Sequence, residues 1–394
     1  MELEPADIYR RLQAQIGPDA KLDEPMWRHT SFRVGGPADL FVRVQSSRML
    51  EHLVPLIAGR GVSWRVLGGG TNVLVAEAGI RGCILSVEGD KPELELIEER
   101  APSGGVPEAV ARIQAGCRLI PVARKAVDLG LGGLEWAIGL PGTVGGAVVN
   151  NAGAHGSGIA AIFQSATAVD LSGAMIRLSP EDMAYSYRYS AFKGGRHRDM
   201  AVISVELRLS RGSRDELLEV ATRFDNARKL RQPPGLSVGS VFKNPPGDYA
   251  GRLLETAGLK GLKIGGAQVS TLHGNFFMNT GNATANDLYR LARAVQDAVW
   301  ECHGVWLEPE VELLGEWTDR ERQALKKPSA ICHLRSSISM AAKNLAGCTA
   351  MKILTLIPNL ERVSLAADSL WLTADSWCER SGGRKASKSP KADG

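Results

Sequence analysis

The chain has 394 residues, a formal net charge of +4, 44% hydrophobic residues and 23% charged residues. That composition excludes a disordered chain or a coiled coil, and the length suits two or three domains. Glycine is in excess, 44 residues without a Gly-X-Y period. Collagen is thereby excluded, and turns or close backbone approaches to a ligand are expected.

The opening MELEPADIYRRLQAQIG lacks the apolar core of a signal peptide, and no run of about 18 apolar residues follows anywhere. The six cysteines, Cys83, Cys117, Cys302, Cys332, Cys348 and Cys378, form neither C-x-x-C pairs nor zinc-spaced clusters. They read as reduced thiols of a cytoplasmic protein without structural metal.

In chain order, residues 46–60 predict a helix after a Ser cap, with Leu50, Leu53, Val54 and Ile57 on one face. The strand WRVL follows, then the turn Gly68-Gly69-Gly70-Thr71-Asn72, then the strand VLVAE. Residues 118–130 predict another helix. A second Gly-rich block runs from Gly139 through Pro141, Gly142, Thr143, Gly145 and Gly146 to Gly153. Residues 169–178 predict a hairpin, Ser179-Pro180 caps a short helix, and AVISVELRLS is a strand ending near 210. From Ser213 three helices are expected: 214–230, stopped by Pro233-Pro234; 248–258, ending at Gly258; and about 284–302. VWLEPEVELLG is then a strand, with Glu308, Glu310 and Glu312 on one face, and the compact body ends near 318.

Gly-rich turns let backbone N–H groups approach a phosphate. Neither block fits G-x-G-x-x-G, and the chain has no G-x-x-x-x-G-K-[ST], so a Rossmann site and a P-loop are disfavoured. Taken alone, each block reads first as ordinary tight turns. Gly235-Leu-Ser237-Val-Gly239 matches a nucleophile elbow, but prolines precede it and no helix follows it. Ser240, followed by Lys243 and Asn244, offers a hydroxyl beside a cation and an amide, a combination suited to an anion or to a plain polar loop. Arg188 sits among Tyr185, Tyr187 and Tyr189, either gripping a planar anion or snorkelling across packed rings. A Glu in the 308–312 strand could be a cleft acid with a raised pKa or part of a solvated edge.

These motifs together resemble one family, the flavoenzyme UDP-N-acetylenolpyruvoylglucosamine reductases (MurB) of bacterial peptidoglycan synthesis. The resemblance is carried by His29-Thr-Ser-Phe-Arg-Val-Gly-Gly36, Leu67-Gly-Gly-Gly-Thr-Asn-Val-Leu74 and Gly133-Leu-Glu-Trp-Ala-Ile-Gly-Leu-Pro-Gly-Thr-Val-Gly-Gly146. It continues through Tyr187-Arg188-Tyr-Ser190-Ala-Phe192, Gly239-Ser-Val-Phe-Lys-Asn-Pro245, Gly265-Gly-Ala-Gln268-Val-Ser270 and Leu307-Glu-Pro-Glu310-Val. It covers about residues 20–315 in the family's compact form, which lacks an additional insertion over the substrate.

The resemblance implies an α+β fold: a two-part FAD-binding domain of the vanillyl-alcohol-oxidase (PCMH) type, residues 1–84 and 85–212, and a smaller α/β substrate-binding domain, 213–318. Residues 319–394 would be a partly disordered extension. It implies non-covalent FAD cradled by Gly68, Gly69, Gly70, Thr71, Asn72, Gly139, Pro141, Gly142, Thr143, Gly145, Gly146 and Gly153. NADPH would reduce the flavin, which would pass a hydride to C3 of UDP-N-acetylglucosamine enolpyruvate while C2 takes a proton. Arg188 would hold the carboxylate, Ser240 would donate the proton and Glu310 would be the carboxyl partner. Tyr187, Arg231, Lys243, Asn244 and Gln268 would contact the substrate, and Lys243 or water would assist Ser240. The protein would be a cytoplasmic monomer binding neither nucleic acid nor membrane. An FAD oxidase of the same fold and a non-catalytic nucleotide-sugar sensor are the competing readings.

Residues 319–394 carry a net +6 and only four glycines, so residues 1–318 carry −2 and 40 glycines. The basicity therefore belongs to the extension and makes no case for nucleic acid, while the glycine excess belongs to the body.

Overall fold

A computed structural model of the chain describes residues 9–10, 12–13, 17–100 and 106–326. Two compact units divide the chain, Met1–His333 and Leu334–Gly394, and the described residues all lie in the first.

The first part contains β1 (Ala20–Pro25), β2 (Pro37–Val44), β3 (Trp64–Leu67), β4 (Val73–Val75) and β5 (Ile80–Val87). The sheet order is β1-β2-β5-β3, antiparallel at β1/β2 and parallel at the other two pairings, with β4 outside it. Period-two alternation decides which side chains go to which face. Leu40, Val42, Val44, Cys83, Leu85 and Val87 pack with helix α1 (Leu50–Ala58), while Phe41, Ile80 and Ile84 join Val73, Val75 and Leu314 on the other side. The helix expected at 46–60 forms, but a 3-10 turn, Ser47–Met49, precedes it, and Ser46 makes no side-chain cap. Ser47 Oγ instead donates to Gln114. The boundary expected between residues 84 and 85 cuts β5, which runs unbroken to Val87.

The second part has a larger antiparallel sheet. Its strands are β6 (Glu95–Arg100), β7 (Glu108–Gln114), β8 (Leu131–Gly132), β11 (Phe163–Val169), β12 (Met175–Leu178) and β13 (Ala201–Arg211); β9 (Gly153–Ala154) and β10 (Ser157–Gly158) form a separate small hairpin. The sheet order is β12-β11-β13-β7-β6, and β8 extends β13. Its inward face buries Val205, Leu207, Leu209, Ala111 and Ile113 against helices α2 (Leu119–Asp128), α3 (Val144–Asn150) and α4 (Ile159–Ile162). The β11–β12 hairpin and the capping box of α5 (Pro180–Met183), with Ser179 Oγ accepting from Asp182 N–H, match the sequence reading.

The third part contains α6 (Arg214–Arg231), α7 (Ala250–Thr256), the small sheet β14 (Lys263–Ile264), β15 (Ala267–Val269) and β16 (Phe277–Asn279), and helix α8 (Ala285–His303). Phe32, Val34, Leu74 and Ala76 of the first part share its hydrophobic core. The strand expected over 305–315 is shorter: only β17 (Glu312–Leu314) forms, parallel to β4, because Pro309 breaks the ladder and allows just an isolated bridge to Phe242. This pairing returns the chain to the first Gly-rich turn.

The body does not end near 318. Helix α9 (Asp319–Lys326) buries Leu325 in the third core, and Gln296 Nε2 donates to Leu325 O at 2.7 Å. Arg322 also donates to the carbonyls of Leu313 and Gly315. A cut after Thr318 would remove core packing as well as the extension. The disorder expected further along lies outside the described residues. Among the described residues no helix is long and apolar enough to cross a membrane.

Candidate active site

A cavity of about 940 Å³ opens where the three parts meet, at the upper end of the ~300–1,000 Å³ usual for ligand sites. All twelve block residues expected to hold the cofactor line it. The two blocks touch closely, Gly68 against the Thr143 side chain and Gly69 against the Gly142 backbone. A Cβ on Gly68 would lie 2.4 Å from Thr143 Oγ1, and one on Gly69 would lie 2.9 Å from Gly142 Cα. Thr143 caps α3, its hydroxyl accepting from Gly146 N–H. Among the described residues, the N–H groups of Gly69, Gly70, Thr71 and Asn72 donate to no protein acceptor. Consecutive amides lining a cavity without partners form an anion-binding concavity.

The charged end is assembled from three distant segments. Ser186, Tyr187, Arg188 and Tyr189 make a tight turn closed by Tyr189 N–H to Ser186 O at 3.0 Å, with Arg188 at φ +54°. A bulky residue in that region carries strain of about 1–3 kcal/mol. The turn is held from outside: Asn151 Nδ2 donates to Ser186 O, and buried Ser190 Oγ donates to Val149 O. The Arg188 guanidinium donates to Gly153 O at 2.8 Å and Asn151 O at 3.4 Å. Its Nε lies 2.7 Å from Glu310 Oε1, yet no acceptor is aligned with that N–H. The approach is therefore a charge contact rather than an aligned hydrogen bond.

Glu310 is carried in by the β17 return, and its N–H donates to Val241 O at 2.8 Å, which sets it beside Ser240. Burial pushes its carboxyl above the ordinary range, against the opposing pull of Arg188, Lys193 and Lys243. Ser240 lines the same cavity on a loop bridged to Phe276. Arg188, Ser240 and Glu310, the three expected catalytic side chains, thus share one cavity.

The three glutamates do not act as one face. Glu308 is exposed and pairs with Lys243 at 2.6 Å, and Glu312 pairs with Arg65 at 2.5 Å. Lys243 is therefore committed to Glu308 rather than to Ser240. The five expected substrate contacts, Tyr187, Arg231, Lys243, Asn244 and Gln268, are not among the cavity-lining residues. The Tyr187 ring lies under Arg188, with the guanidinium carbon 5.5 Å from its centroid, and its hydroxyl accepts from Asn244 N–H. Asn244 Oδ1 accepts from Ala250 N–H at the start of α7, Gln268 donates to Gly261 O, and Arg231 is exposed at the end of α6. Arg228, one turn earlier, lines the cavity instead. Lys193 and Asn150 also line it; Lys193 directly follows the Tyr187–Phe192 motif and Asn150 lies within the second Gly-rich block, but nothing in either motif assigns them a role. Ser237 lines the cavity on a loop where its hydroxyl accepts from Gly239 N–H, without the strand–turn–helix of a nucleophile elbow. His155 is exposed, stacks on Phe224 at 4.2 Å and is not among the lining residues, so it is not placed to anchor a flavin covalently.

Comparison with known proteins now bears on this geometry. Residues 38–179 match the FAD binding domain family, and residues 230–314 match the C-terminal domain of UDP-N-acetylenolpyruvoylglucosamine reductase. Over 302 residues the chain is 41% identical to the reductase of that name from Rubrobacter xylanophilus, covering 77% of this chain and 97% of that one. The Synechococcus reductase is 42% identical over 77% and 96%. The chain belongs to the UDP-N-acetylenolpyruvoylglucosamine reductase family. The crystal structure of the Thermus caldophilus reductase shares its fold, with a TM-score of 0.62 at 33% identity over 75% of this chain and 98% of that one.

FAD fits this reductase on its own geometry. The unpartnered amides of Gly69–Asn72 suit a pyrophosphate, and side chains at Gly68 or Gly69 would wedge the two blocks apart. This flavin-dependent oxidoreductase uses the PCMH-type fold that the sequence implied.

Proposed function

We propose that the chain catalyses NADPH-dependent, FAD-mediated reduction of UDP-N-acetylglucosamine enolpyruvate to UDP-N-acetylmuramate, a step of peptidoglycan precursor synthesis. The observation that carries this reading is the sharing of one cavity by the glycine cradle, the Arg188–Glu310 pair and Ser240. In this reading the first two parts hold FAD and the third, from Ser213, receives the sugar nucleotide. The bound flavin supplies the two-electron relay between NADPH and C3 of the enolpyruvyl group.

The side chains handle charge and protons. Negative charge develops towards the carboxylate end of the enolpyruvyl group, and fixed donors aimed there lower the barrier. Arg188, held by two backbone carbonyls and not yet aligned with Glu310, is free to redirect its Nε–H towards that carboxylate. Glu310, biased by burial towards its neutral form, adds a donor without adding a repelling charge. Ser240 Oγ gives the proton to C2. With Lys243 occupied by Glu308, water entering the cavity returns that proton to Ser240. Tyr187, Lys243 and Asn244 are chain neighbours of the catalytic residues and form an outer shoulder for the diphosphate. NADPH rather than NADH as donor, a cytoplasmic location and a monomeric state complete the proposal.

The test is optical. The purified protein is expected to be yellow and to release free FAD on denaturation. NADPH should bleach it, and the enolpyruvyl sugar nucleotide should restore the colour. Failure of the sugar nucleotide to reoxidise the reduced flavin would refute the reading.

A further inference from the structure

The cavity holds further cations that the three catalytic side chains do not account for, and one of them, Lys193, is tied to the glycine blocks. Lys193 lines it, and its Nζ donates to Asn150 Oδ1 at 3.1 Å. Asn150 is itself oriented: its Nδ2 donates to Gly146 O at 2.9 Å, and its Oδ1 also accepts from Asn72 Nδ2 at 3.3 Å. The same Asn72 amide donates to Glu310 O at 3.1 Å. The ammonium is thus pinned by a network tying both glycine blocks to the segment that bears Glu310.

An ammonium has three donors, and among the described residues only Asn150 accepts from this one. Among the described residues no carboxylate is in ion-pair contact with it, although Glu312 and Glu310 attract it from further off. Glu310 is in contact with Arg188, and Glu312 with Arg65. A partly buried cation with one neutral partner is costly unless an anion joins it. Desolvation depresses the Lys193 ammonium below the ordinary lysine range, against the opposing pull of Glu312 and Glu310.

We infer that Lys193 is a further anion-binding residue of the site, which with Arg188 makes a two-cation seat for one carboxylate or phosphate of a bound reactant. The inference rests on the reductase reading for the identity of the reactants. A carboxylate or diphosphate of the sugar nucleotide and a phosphate of the nicotinamide donor share this chemistry.

The experiment compares Lys193→Met, Lys193→Gln and Lys193→Arg as flavin-loaded enzymes. Three concentration series are measured by rapid mixing: flavin reduction by NADPH, flavin reduction by NADH, and reoxidation of the reduced enzyme by UDP-N-acetylglucosamine enolpyruvate. Half-saturation is expected to rise roughly 10- to 100-fold in at least one series for Met, the usual cost of losing a hydrogen bond to a charged group, and to recover largely in Arg. A rise in the sugar-nucleotide series assigns the anion to that substrate. A rise with NADPH alone assigns the 2′-phosphate, and a rise with both nicotinamides assigns their pyrophosphate.

Unchanged half-saturation in all three series in flavin-loaded Met or Gln enzyme overturns the inference. So does loss of flavin from both variants, because the ammonium would then be a structural or flavin contact. Wild-type enzyme that is not reoxidised by the sugar nucleotide removes the reductase reading instead, and the nicotinamide series still report on Lys193.

Discussion

The glycine cradle and the charged end of the cavity lie side by side but are built by opposite means. The cradle consists of backbone: Gly68–Asn72 and Gly139–Gly146 press together so closely that a single Cβ on Gly68 would meet Thr143 at 2.4 Å. The charged end consists of side chains delivered by a strained turn at Arg188, a loop at Ser240 and a returning strand at Glu310. The cradle can hold a cofactor only by excluding side chains. The charged end can do chemistry only by importing them from three segments that together span more than a hundred residues of chain. Damage to the first should therefore be read as lost flavin, and damage to the second as lost rate with flavin retained.

The largest separation is expected from Ser240→Ala. Proton donation by a placed side chain is worth about 10²–10⁴-fold. Reoxidation by the sugar nucleotide should slow by that order while reduction by NADPH stays nearly intact, and flavin content should be unchanged. Rapid-mixing kinetics of the two half-reactions measure both. Equal slowing of both halves would remove Ser240 from the proton-transfer role and blur the line between the two regions.

The same contrast explains what could be read from the sequence. A backbone cradle needs glycines at consecutive positions, so Gly68–Gly70 and Gly142–Gly146 announce themselves locally, and all twelve expected residues line the cavity. Helix faces and strand alternation were legible for the same reason: Leu50, Leu53, Val54 and Ile57 are neighbours on one turn after another. Arg188, Ser240 and Glu310 were found through motif resemblance, since no spacing connects them. Lys193 and Asn150 sit in or beside legible motifs, but the tertiary hydrogen bond that joins them has no sequence signal. The five expected substrate contacts illustrate the limit. Tyr187, Arg231, Lys243 and Asn244 lie within four residues of a lining residue and Gln268 does not, but Lys243 faces Glu308 and Asn244 Oδ1 accepts from the first N–H of α7. The end of the body was misplaced because Asp319–Lys326 is strongly charged, and what anchors it, Leu325 in the core and hydrogen bonds involving Arg322, Gln296 and Tyr289, is tertiary.

Gly68→Val breaks the cradle from the other side. The added side chain would force Thr143 away from its cap on Gly146 N–H and separate the two blocks. The purified variant should retain its secondary structure by circular dichroism but carry little flavin, as read from the ratio of flavin to protein absorbance. Whatever fraction still holds flavin should be reoxidised at nearly the wild-type rate, since Arg188, Ser240 and Glu310 are untouched. Full flavin content would show that the close contact at Gly68 is relieved cheaply and that the cradle does not depend on it.

The smallest effect belongs to Glu310→Gln measured as stability rather than rate, and it asks whether the charged end stores a cost that the cradle does not. Burial raises the Glu310 pKa above its ordinary value of 4.5, against the pull of Arg188, Lys193 and Lys243. A group with a raised folded-state pKa contributes its stability below the unfolded pKa and loses it as pH rises through the folded one. At pH well below 4.5 the carboxyl is neutral in both states, and wild type and Gln variant should unfold alike apart from a constant offset. Above that, the folded state must either bury a charge or keep a proton that the unfolded chain has released. The Gln variant should therefore gain relative stability across the interval between the two pKa values and then level off. Denaturant unfolding of the two proteins over that range reads the difference as a slope. A difference that falls with rising pH would mean that the Arg188 contact outweighs burial, and that Glu310 rests as a carboxylate rather than as the neutral donor proposed for it.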